Sequence, residues 1–232
     1  MTESAKFVGT ELLWELGDQG RAVTRPALTV PRIATAGIML ADEAGMAAVS
    51  MQQVAGMLDV TKMALYRHVT NKAELVAVMI EIAVGAPPDL STVPGGWRPK
   101  LTEWARLMRE TWQRHPWLPA ATVGDRAMGP REIGWTEAAV AALEGTGLTG
   151  TQRMDAVFLV SGHIRNTQSA STSGTQPWNR DKRLHGQIAA HGDRFPALVA
   201  ATDDAADAAP DSSWEFGLAR IFDGLELLIE GR

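Results

Sequence analysis

Apolar side chains recur at three- and four-residue spacing over most of the chain after residue 29, and no segment there alternates apolar and polar residues as a half-buried strand does. Capping residues, Gly and Pro bound these stretches, so each is predicted to be a helix. Outside residues 50–70, the predicted helices cover about 30–44, 72–86, 97–115, 130–146, 149–171, 178–191 and 213–230. The predicted loops are 86–96, 118–130 and 200–212. The pattern predicts an all-α protein.

The segment from Ser50 to Leu75 is predicted to form two short helices joined by a tight turn, followed at once by the helix that begins after Asn71. Ser50 and Gln53 are spaced as a capping box, and Asp59 lies where the turn needs a left-handed residue. The apolar residues of the second short helix are Leu65 and Val69, and the residues left on its outer face are Lys62, Met63, Tyr66, Arg67 and His68. Such a helix suits the DNA major groove, although a helical hairpin inside an ordinary bundle fits the same spacing.

Residues 65–75, LYRHVTNKAEL, resemble the L-Y-x-H-V-x-N-K-x-x-L signature that ends the DNA-binding domain of TetR (tetracycline-repressor) family regulators. Residues 49–60 are similar to the second helix and turn of that family, except that Asp59 stands where these proteins usually have Gly. The sequence His-Pro-Trp at 115–117 and the closing WEFGLARIFDGLELL resemble the C-terminal domain of tetracycline-repressor relatives. The resemblance extends from about residue 29 to residue 230.

This resemblance implies an N-terminal three-helix DNA-binding domain with a helix-turn-helix, followed by a larger helical C-terminal domain for ligand binding and dimerisation. We assign residues 29–76 to the DNA-binding domain, here called the head. Residues 77–232 are assigned to the C-terminal domain, here called the body. Residues 1–28 are interpreted as a flexible arm, which either follows the DNA or is a disordered tail.

The residues expected to contact DNA lie on the short helices, at their caps and at the start of the next helix, and are Ser50, Gln52, Thr61, Lys62, Met63, Tyr66, Arg67, His68 and Lys72. Lys62 and Arg67 can donate to guanine O6 and N7, whereas Lys72, at a helix N-terminus, suits a phosphate. Tyr66 either contacts DNA or is a half-buried packing residue. His68 either contacts a phosphate or caps the domain.

Charge and composition narrow the function further. The net charge is −5, yet residues 21–72 carry six Lys and Arg against three Asp and Glu, as a basic module on an acidic body would. The chain has no cysteine, which excludes disulfides, thiolate catalysis and Cys-based zinc sites. Because paired-His metal spacing, glycine-rich phosphate loops and nucleophile elbows are also lacking, we predict no enzyme activity and no cofactor. Neither a signal peptide nor an 18-residue apolar run is present, so a cytoplasmic location is predicted.

A ligand pocket in the body is implied by the resemblance, and the residue types are compatible with one. Eight tryptophans and ten methionines are many for 232 residues, and aromatics with adaptable Met line apolar cavities. The candidate ligand-binding residues are Met108, Trp112, Trp117, Trp135, His163 and Asn166. A solid core for the tryptophans, and satisfied core polar groups for His163 and Asn166, are the alternatives. No metal is expected, because the carboxylate that the tetracycline repressor has eight residues after the corresponding His is Ser171 here.

The last predicted helix carries an apolar seam at 3-4-3 spacing, expected to form the dimer interface, composed of Leu218, Ile221, Leu225 and Leu228. Gly217 and Gly224 lie beside it, and glycine inside a helix lowers stability by about 1 kcal/mol. Two such glycines suggest that another helix approaches closely, although packing inside the chain's own domain is the alternative.

The sequence predicts a homodimeric DNA-binding transcriptional regulator, a repressor released from a palindromic operator by a small apolar or amphipathic ligand. Its expected partners are double-stranded DNA, an unidentified small-molecule effector and a second copy of itself, with no membrane. An all-helical DNA-binding protein without a ligand, and a helical enzyme or adaptor with an incidental helix-turn-helix, are the alternatives. The operator, the effector and the choice between repression and activation are not encoded in any recognisable motif.

Overall fold

The computed structural model describes residues 27–171, 186–188, 190–204 and 212–231, and all regular secondary structure in these ranges is helical. The all-α prediction is therefore confirmed. In chain order the helices are α1 (Val30–Ala44), α2 (Met51–Met57), α3 (Lys62–Leu65), α4 (Lys72–Val84), α5 (Trp97–Arg114), α6 (Leu118–Ala121), α7 (Pro130–Ala142), α8 (Gly150–Ser171), α9 (Pro196–Asp204) and α10 (Ser212–Ile229).

The chain folds into two compact units, of which the first ends at Arg153 and the second begins at Met154. Helices α1 to α7 belong to the first unit, whereas α9, α10 and most of α8 belong to the second. The predicted division of head from body at residue 76 falls within α4, which is one continuous helix, and stays a prediction.

The core of the head forms where α1 and α4 pack together and the two short helices close over them. Thr29 caps α1 through its side chain, and Pro31 occupies the first turn as predicted. The residues buried completely at this junction include Ile33, Val54, Leu65, Val69, Leu75 and Val78. Because these side chains come from all four helices, the position of α3 is fixed by the same apolar contacts that fix the start of α4.

A buried carboxylate joins α4 to α7. Glu81 is almost completely buried, and its side chain accepts hydrogen bonds from the backbone N–H groups of Arg131 (2.8 Å) and Glu132 (3.4 Å) in the first turn of α7. Burial raises the pKa of Glu81, while the two backbone N–H groups act in the opposite direction. A Cβ on Gly129 would lie 2.3 Å from the Glu81 carboxylate, so only glycine leaves room for this cap.

Tryptophan side chains continue the connection beyond the end of α4. Trp135 donates its indole N–H to the carbonyl oxygen of Val84 at 3.1 Å, and Trp104 donates to the carbonyl oxygen of Trp135 at 2.8 Å. Both rings are buried. The C-terminal end of α4 is therefore held by a chain of hydrogen bonds that runs through α7 to α5.

The second unit is organised by the contact between α8 and α10. The imidazole of His163 on α8 stacks on the ring of Trp214, with centroids 5.5 Å apart, and its Nε2 lies 3.0 Å from the carbonyl oxygen of Trp214. Since a carbonyl oxygen only accepts, Nε2 carries the hydrogen. Val160 and Ile164 on α8 and Phe222 on α10 are buried in the same unit.

Several predicted boundaries were wrong. The helix expected over 130–146 ends at Ala142, because the chain turns from Leu143 onward. The loop expected over 118–130 begins with the short helix α6, and α9 extends to Asp204 into the acidic segment expected to be a loop. Of the helix predicted over 178–191, residues 186–188 are helical and 178–185 lie outside the described residues, as do residues 1–26 of the arm.

Candidate nucleic-acid interface

The turn between α2 and α3 has the geometry that the sequence predicts. Ser50 accepts a hydrogen bond from the backbone N–H of Gln53 at 3.2 Å, which confirms its role as the cap of α2. Asp59 has φ 53°, in the left-handed region that Asp tolerates better than most residues. Thr61 caps α3 by accepting from the backbone N–H of Ala64 at 3.2 Å. Each capping hydroxyl can still donate its own hydrogen to a phosphate oxygen.

Helix α3 ends at Leu65, so Tyr66, Arg67 and Val69, expected on the helix, follow it in a turn. Together α3 and this turn bury one face and expose the other. Leu65 and Val69 are fully buried, as predicted, whereas Met63 is 70% exposed and Tyr66 is 43% exposed. Part of the Tyr66 ring is thus open to solvent, and a DNA contact for Tyr66 stays a prediction. The remaining predicted DNA contacts are exposed at Gln52, Thr61, Lys62, Arg67 and Lys72, and half-buried at Ser50 and His68. One surface thus presents two cations, a phenol and a methionine on a segment whose back is fixed in the core.

The start of α4 is capped by its own side chains. Asn71 accepts a hydrogen bond from the backbone N–H of Glu74 at 2.9 Å, and the Glu74 carboxylate accepts from the hydroxyl of Thr70 at 2.7 Å and from the backbone N–H of Thr70. The backbone N–H groups of Thr70 and Glu74 are therefore already occupied by side chains of the protein. The exposed ammonium of Lys72 remains the donor that this end of α4 offers to DNA.

Sequence reasoning missed two acidic residues that join separate helical segments. Asp42, near the end of α1, accepts from the indole N–H of Trp117 and contacts His115, while Glu81 caps α7. Both had a signal in the sequence. Asp42 is an acid in the last turn of a helix, where the macrodipole disfavours negative charge, and Glu81 is the only charged residue in the apolar run from Leu75 to Val84.

The predicted ligand-binding residues do not form one group. Trp117 and Trp135 are buried in the first unit, each with its indole N–H bonded to Asp42 or to Val84. Trp112 is buried and Met108 half-buried in the same unit. In the second unit His163 is a satisfied polar group on Trp214, whereas Asn166 is exposed, so the core interpretation fails for Asn166. A ligand contact for these six residues stays a prediction.

The first unit also has two surface grooves, and neither is lined by the predicted ligand-binding residues. One, of about 420 Å³, lies along α4 and is lined by residues that include Lys72, Val76, Ile80, Val123 and Arg126. The other, of about 550 Å³, lies beside the start of α5. Both are open to solvent, whereas pockets that bind drug-sized ligands enclose most of the ligand surface.

The predicted dimer seam is partly buried within the chain itself. Leu218 and Leu225 are only 7% and 8% exposed, and Ile221 is half-buried, so this part of the seam packs internally. Leu228 is exposed. The large apolar side chains left open on α8 and α10 are instead Met154, Phe158, Leu159, Phe216 and Leu227. An interface through these helices stays a prediction, with these residues rather than Leu218 and Leu225 at its surface.

Among the described residues, no helix combines the length and the apolar character needed to cross a membrane. In the same ranges, no three His, Asp or Glu side chains come together as a metal site would require.

Comparisons with known proteins cover both parts of the chain. Residues 33–79 match the family described as "Bacterial regulatory proteins, tetR family", and residues 88–229 match the "Tetracyclin repressor-like, C-terminal domain". The HTH-type transcriptional repressor DrrR1 of Streptomyces coeruleorubidus is 29% identical over 237 aligned residues, which cover 96% of this chain and 86% of that protein.

Solved structures of the TetR family protein ActR from Streptomyces coelicolor have a similar fold. The complex of ActR with (S)-DNPA has a TM-score of 0.72 and 24% identity, and covers 86% of this chain and 98% of that one. The complex with actinorhodin has the same TM-score and 22% identity, and covers 88% and 97%. Identities this low show a shared fold and carry no residue roles.

Proposed function

Because the chain belongs to the tetR family of bacterial regulatory proteins, we propose that it is a homodimeric repressor that binds a palindromic operator and is released from it by a small apolar or amphipathic ligand. The observation that carries the proposal is the two-sided segment formed by α3 and the turn after it. Its buried Leu65 and Val69 fix it in the head, and its opposite face offers Lys62, Tyr66 and Arg67 to solvent. A helix held this way enters a major groove without losing its own packing.

Affinity and specificity are expected to come from different residues of this surface. Lys62 and Arg67 lie on α3 and the turn after it, within reach of base edges, whereas Lys72 lies at the start of α4, where a phosphate is the natural partner. Phosphate contacts release counterions and therefore make binding steeply dependent on salt. Base contacts distinguish one sequence from another.

Alanine substitutions separate these two roles. We expect Lys62→Ala or Arg67→Ala to lower affinity for the selected operator by about 1–3 kcal/mol and to relax its preference at particular bases. Lys72→Ala should weaken binding to operator and random DNA alike and flatten the salt dependence. The measurement is fluorescence anisotropy with a duplex that the protein itself selects from a random pool, over a series of salt concentrations.

Lys100→Ala is the matched control, because Lys100 lies on α5 in the body. It should leave operator affinity unchanged. Equal losses on operator and random DNA for Lys62→Ala, Arg67→Ala and Lys72→Ala would remove any base-reading role for α3.

The dimer is supported by the apolar faces that α8 and α10 leave open. Phe158 and Leu159 on α8, and Phe216 and Leu227 on α10, are exposed although each is large and apolar. Large apolar residues left exposed on both helices suit an association surface. Two copies joined through these helices form a four-helix bundle around a two-fold axis, and this symmetry implies a palindromic operator.

The ligand proposal is supported by the architecture of α4 and by relatives. DrrR1 is named as a repressor, and ActR has been solved with the small molecules (S)-DNPA and actinorhodin. In this chain α4 begins at the predicted DNA surface with Lys72 and ends in the body, where Glu81 and the carbonyl oxygen of Val84 are held by α7. A ligand that displaces α7 therefore moves the helix that carries the head.

A ligand acts as an inducer only if its affinity differs between the DNA-bound and free states. By reciprocity, the operator must weaken ligand binding by the factor with which the ligand weakens operator binding, and about 5- to 150-fold is usual. A compound found by thermal-shift screening can be titrated by calorimetry with and without operator. We expect its affinity for the protein to be lower in the presence of the operator. Identical ligand affinities in the two titrations would show that the compound is not an inducer.

A further inference from the structure

The end of α1 is tied to the body by a side chain that the proposed function leaves unused. The Asp42 Oδ1 atom accepts a hydrogen bond from the indole N–H of Trp117 at 2.7 Å. The His115 Nδ1 atom lies 2.9 Å from Oδ1 and 3.0 Å from Oδ2 of the same carboxylate. Since a carboxylate only accepts, His115 donates here as well. Two donors from the segment after α5 thus converge on one acid of the head.

The contact is specific rather than incidental. An acid in the last turn of a helix is unfavourable because of the macrodipole, and hydrogen bonds to a charged acceptor are stronger than neutral ones. Trp117 is almost fully buried, whereas the side chain of His115 is 19% and that of Asp42 31% exposed. Asp42 and its neighbour Glu43 both lie at the surface. Of these two successive acids, Asp42 is the one that hydrogen-bonds to the segment after α5.

The position of Asp42 gives the contact a mechanical consequence. The chain passes from head to body through α4, and α1 packs on that same helix, with Gly37 against Met79. Asp42 adds a second attachment on α1, a different helix, and it meets the body just before α6. Two attachments on separate helices fix an orientation, whereas one attachment leaves rotation available.

We propose that Asp42, His115 and Trp117 form a latch that fixes the orientation of the head on the body, and that these are positioning residues for docking two heads on one operator. The inference rests on the proposed dimeric, operator-binding function. Two linked heads bind a palindrome with higher affinity than one head binds a half-site, and this gain in affinity depends on the geometry between the heads. The gain in affinity is lost when the two heads cannot bind at the same time. The latch acts on this gain and leaves the contacts of each head with its half-site unchanged.

Three variants isolate the latch. Asp42→Ala removes the acceptor of both donors. Asp42→Asn removes the same charge but keeps an Oδ1 atom, which is the atom within reach of both His115 and Trp117. Glu43→Ala removes an equal charge one residue away, at an exposed position. Any general effect of lost negative charge on DNA affinity therefore appears in all three variants, and loss of the latch appears only in Asp42→Ala.

The first measurement compares a palindromic duplex, selected by the wild-type protein from a random pool, with a duplex that contains only one half-site. We expect Asp42→Ala to bind the palindrome about tenfold more weakly, with half-site affinity unchanged. Asp42→Asn and Glu43→Ala should keep the preference for the palindrome. Equal losses on both duplexes, or no loss on either, would overturn the latch, because a role confined to the stability of the head affects both alike.

The second measurement does not depend on DNA or on dimerisation. The chain has no cysteine, so Ala47→Cys in the head and Ala141→Cys on α7, both exposed, take two spin labels at defined places. In protein diluted with unlabelled chains, the distance distribution between the labels should be narrow in the presence of Asp42 and broad after Asp42→Ala. Equal widths would overturn the latch. A wild-type protein that selects no sequence from the pool would contradict the proposed function instead, and the label distances would still decide the inference.

Discussion

Replacing Phe158 with Glu is expected to convert the proposed dimer into a monomer and to abolish high-affinity operator binding. Phe158 on α8 is 76% exposed, the largest exposure among the large apolar side chains of the described residues. Across a two-fold axis the substitution would place two unpaired carboxylates in an apolar interface, and each buried charge costs several kcal/mol. With one head per particle, the gain from binding two half-sites together is lost.

The exposure of Phe158 makes this substitution a cleaner test than one in the predicted seam. Leu225 is buried within the chain, so a charge there would disturb the fold of the monomer as well as any interface. Phe195→Glu is the matched control, because Phe195 is 45% exposed in the same unit but lies outside α8 and α10. It makes the same chemical change and should leave the dimer intact.

Sedimentation velocity over a range of protein concentrations measures the outcome, together with anisotropy on the selected palindrome. Circular dichroism should show the same helix content for wild type, Phe158→Glu and Phe195→Glu. A Phe158→Glu protein that still sediments as a dimer would exclude this face of α8 from the interface. A wild-type protein that is monomeric throughout would contradict the dimer itself.

The head was predictable from sequence because its signals are local. Capping by Ser50 and Asn71, the left-handed Asp59 and the burial of Leu65 and Val69 each depend on residues within a few positions of one another. Local hydrogen bonds and helical spacing decide such features before tertiary packing contributes. The observed α1 also has the bounds that its caps predict.

The body was predictable in class but not in its contacts. A 3-4-3 spacing identifies an apolar face of α10, yet it cannot tell whether that face packs in its own chain or in another, and Leu218 and Leu225 pack internally. Similarly, an abundance of tryptophan cannot distinguish a pocket from a core. The indole N–H groups of Trp104, Trp117 and Trp135 are bonded to partners 31 to 75 residues away, and such pairings are set by tertiary structure alone.

The two glycines of α10 show the same limit, because one explanation was expected to cover both and the structure separates them. A Cβ on Gly217 would lie 2.1 Å from the Cε1 atom of His163, whereas a Cβ on Gly224 meets nothing within 4 Å among the described residues. At Gly217 the alternative holds, because the helix that approaches is α8 of the same unit. At Gly224, approach by a partner helix stays a prediction.

Gly217→Ala should therefore destabilise the protein by about 3 kcal/mol, at the upper end of the usual cost of overpacking. The added methyl group forces the ring of His163 to move, and the ring is held by its hydrogen bond to the carbonyl oxygen of Trp214 and by stacking on that residue. Gly224→Ala makes the same change at an open helix position, where alanine is favoured over glycine by about 1 kcal/mol. The measurement is urea unfolding at one fixed protein concentration, since the stability of a dimer depends on concentration.

A double-mutant cycle identifies the cause of the Gly217→Ala effect. If the clash with the imidazole is responsible, His163→Ala should make Gly217→Ala far less destabilising than it is in the wild-type background, because the ring that the methyl group meets is absent. Additive effects of the two substitutions would assign the loss to something other than this contact. Gly224→Ala also tests the interface. If this substitution raises monomer stability but weakens dimerisation, the helix that packs against Gly224 belongs to the partner. If dimerisation is unchanged, Gly224 has no role in association.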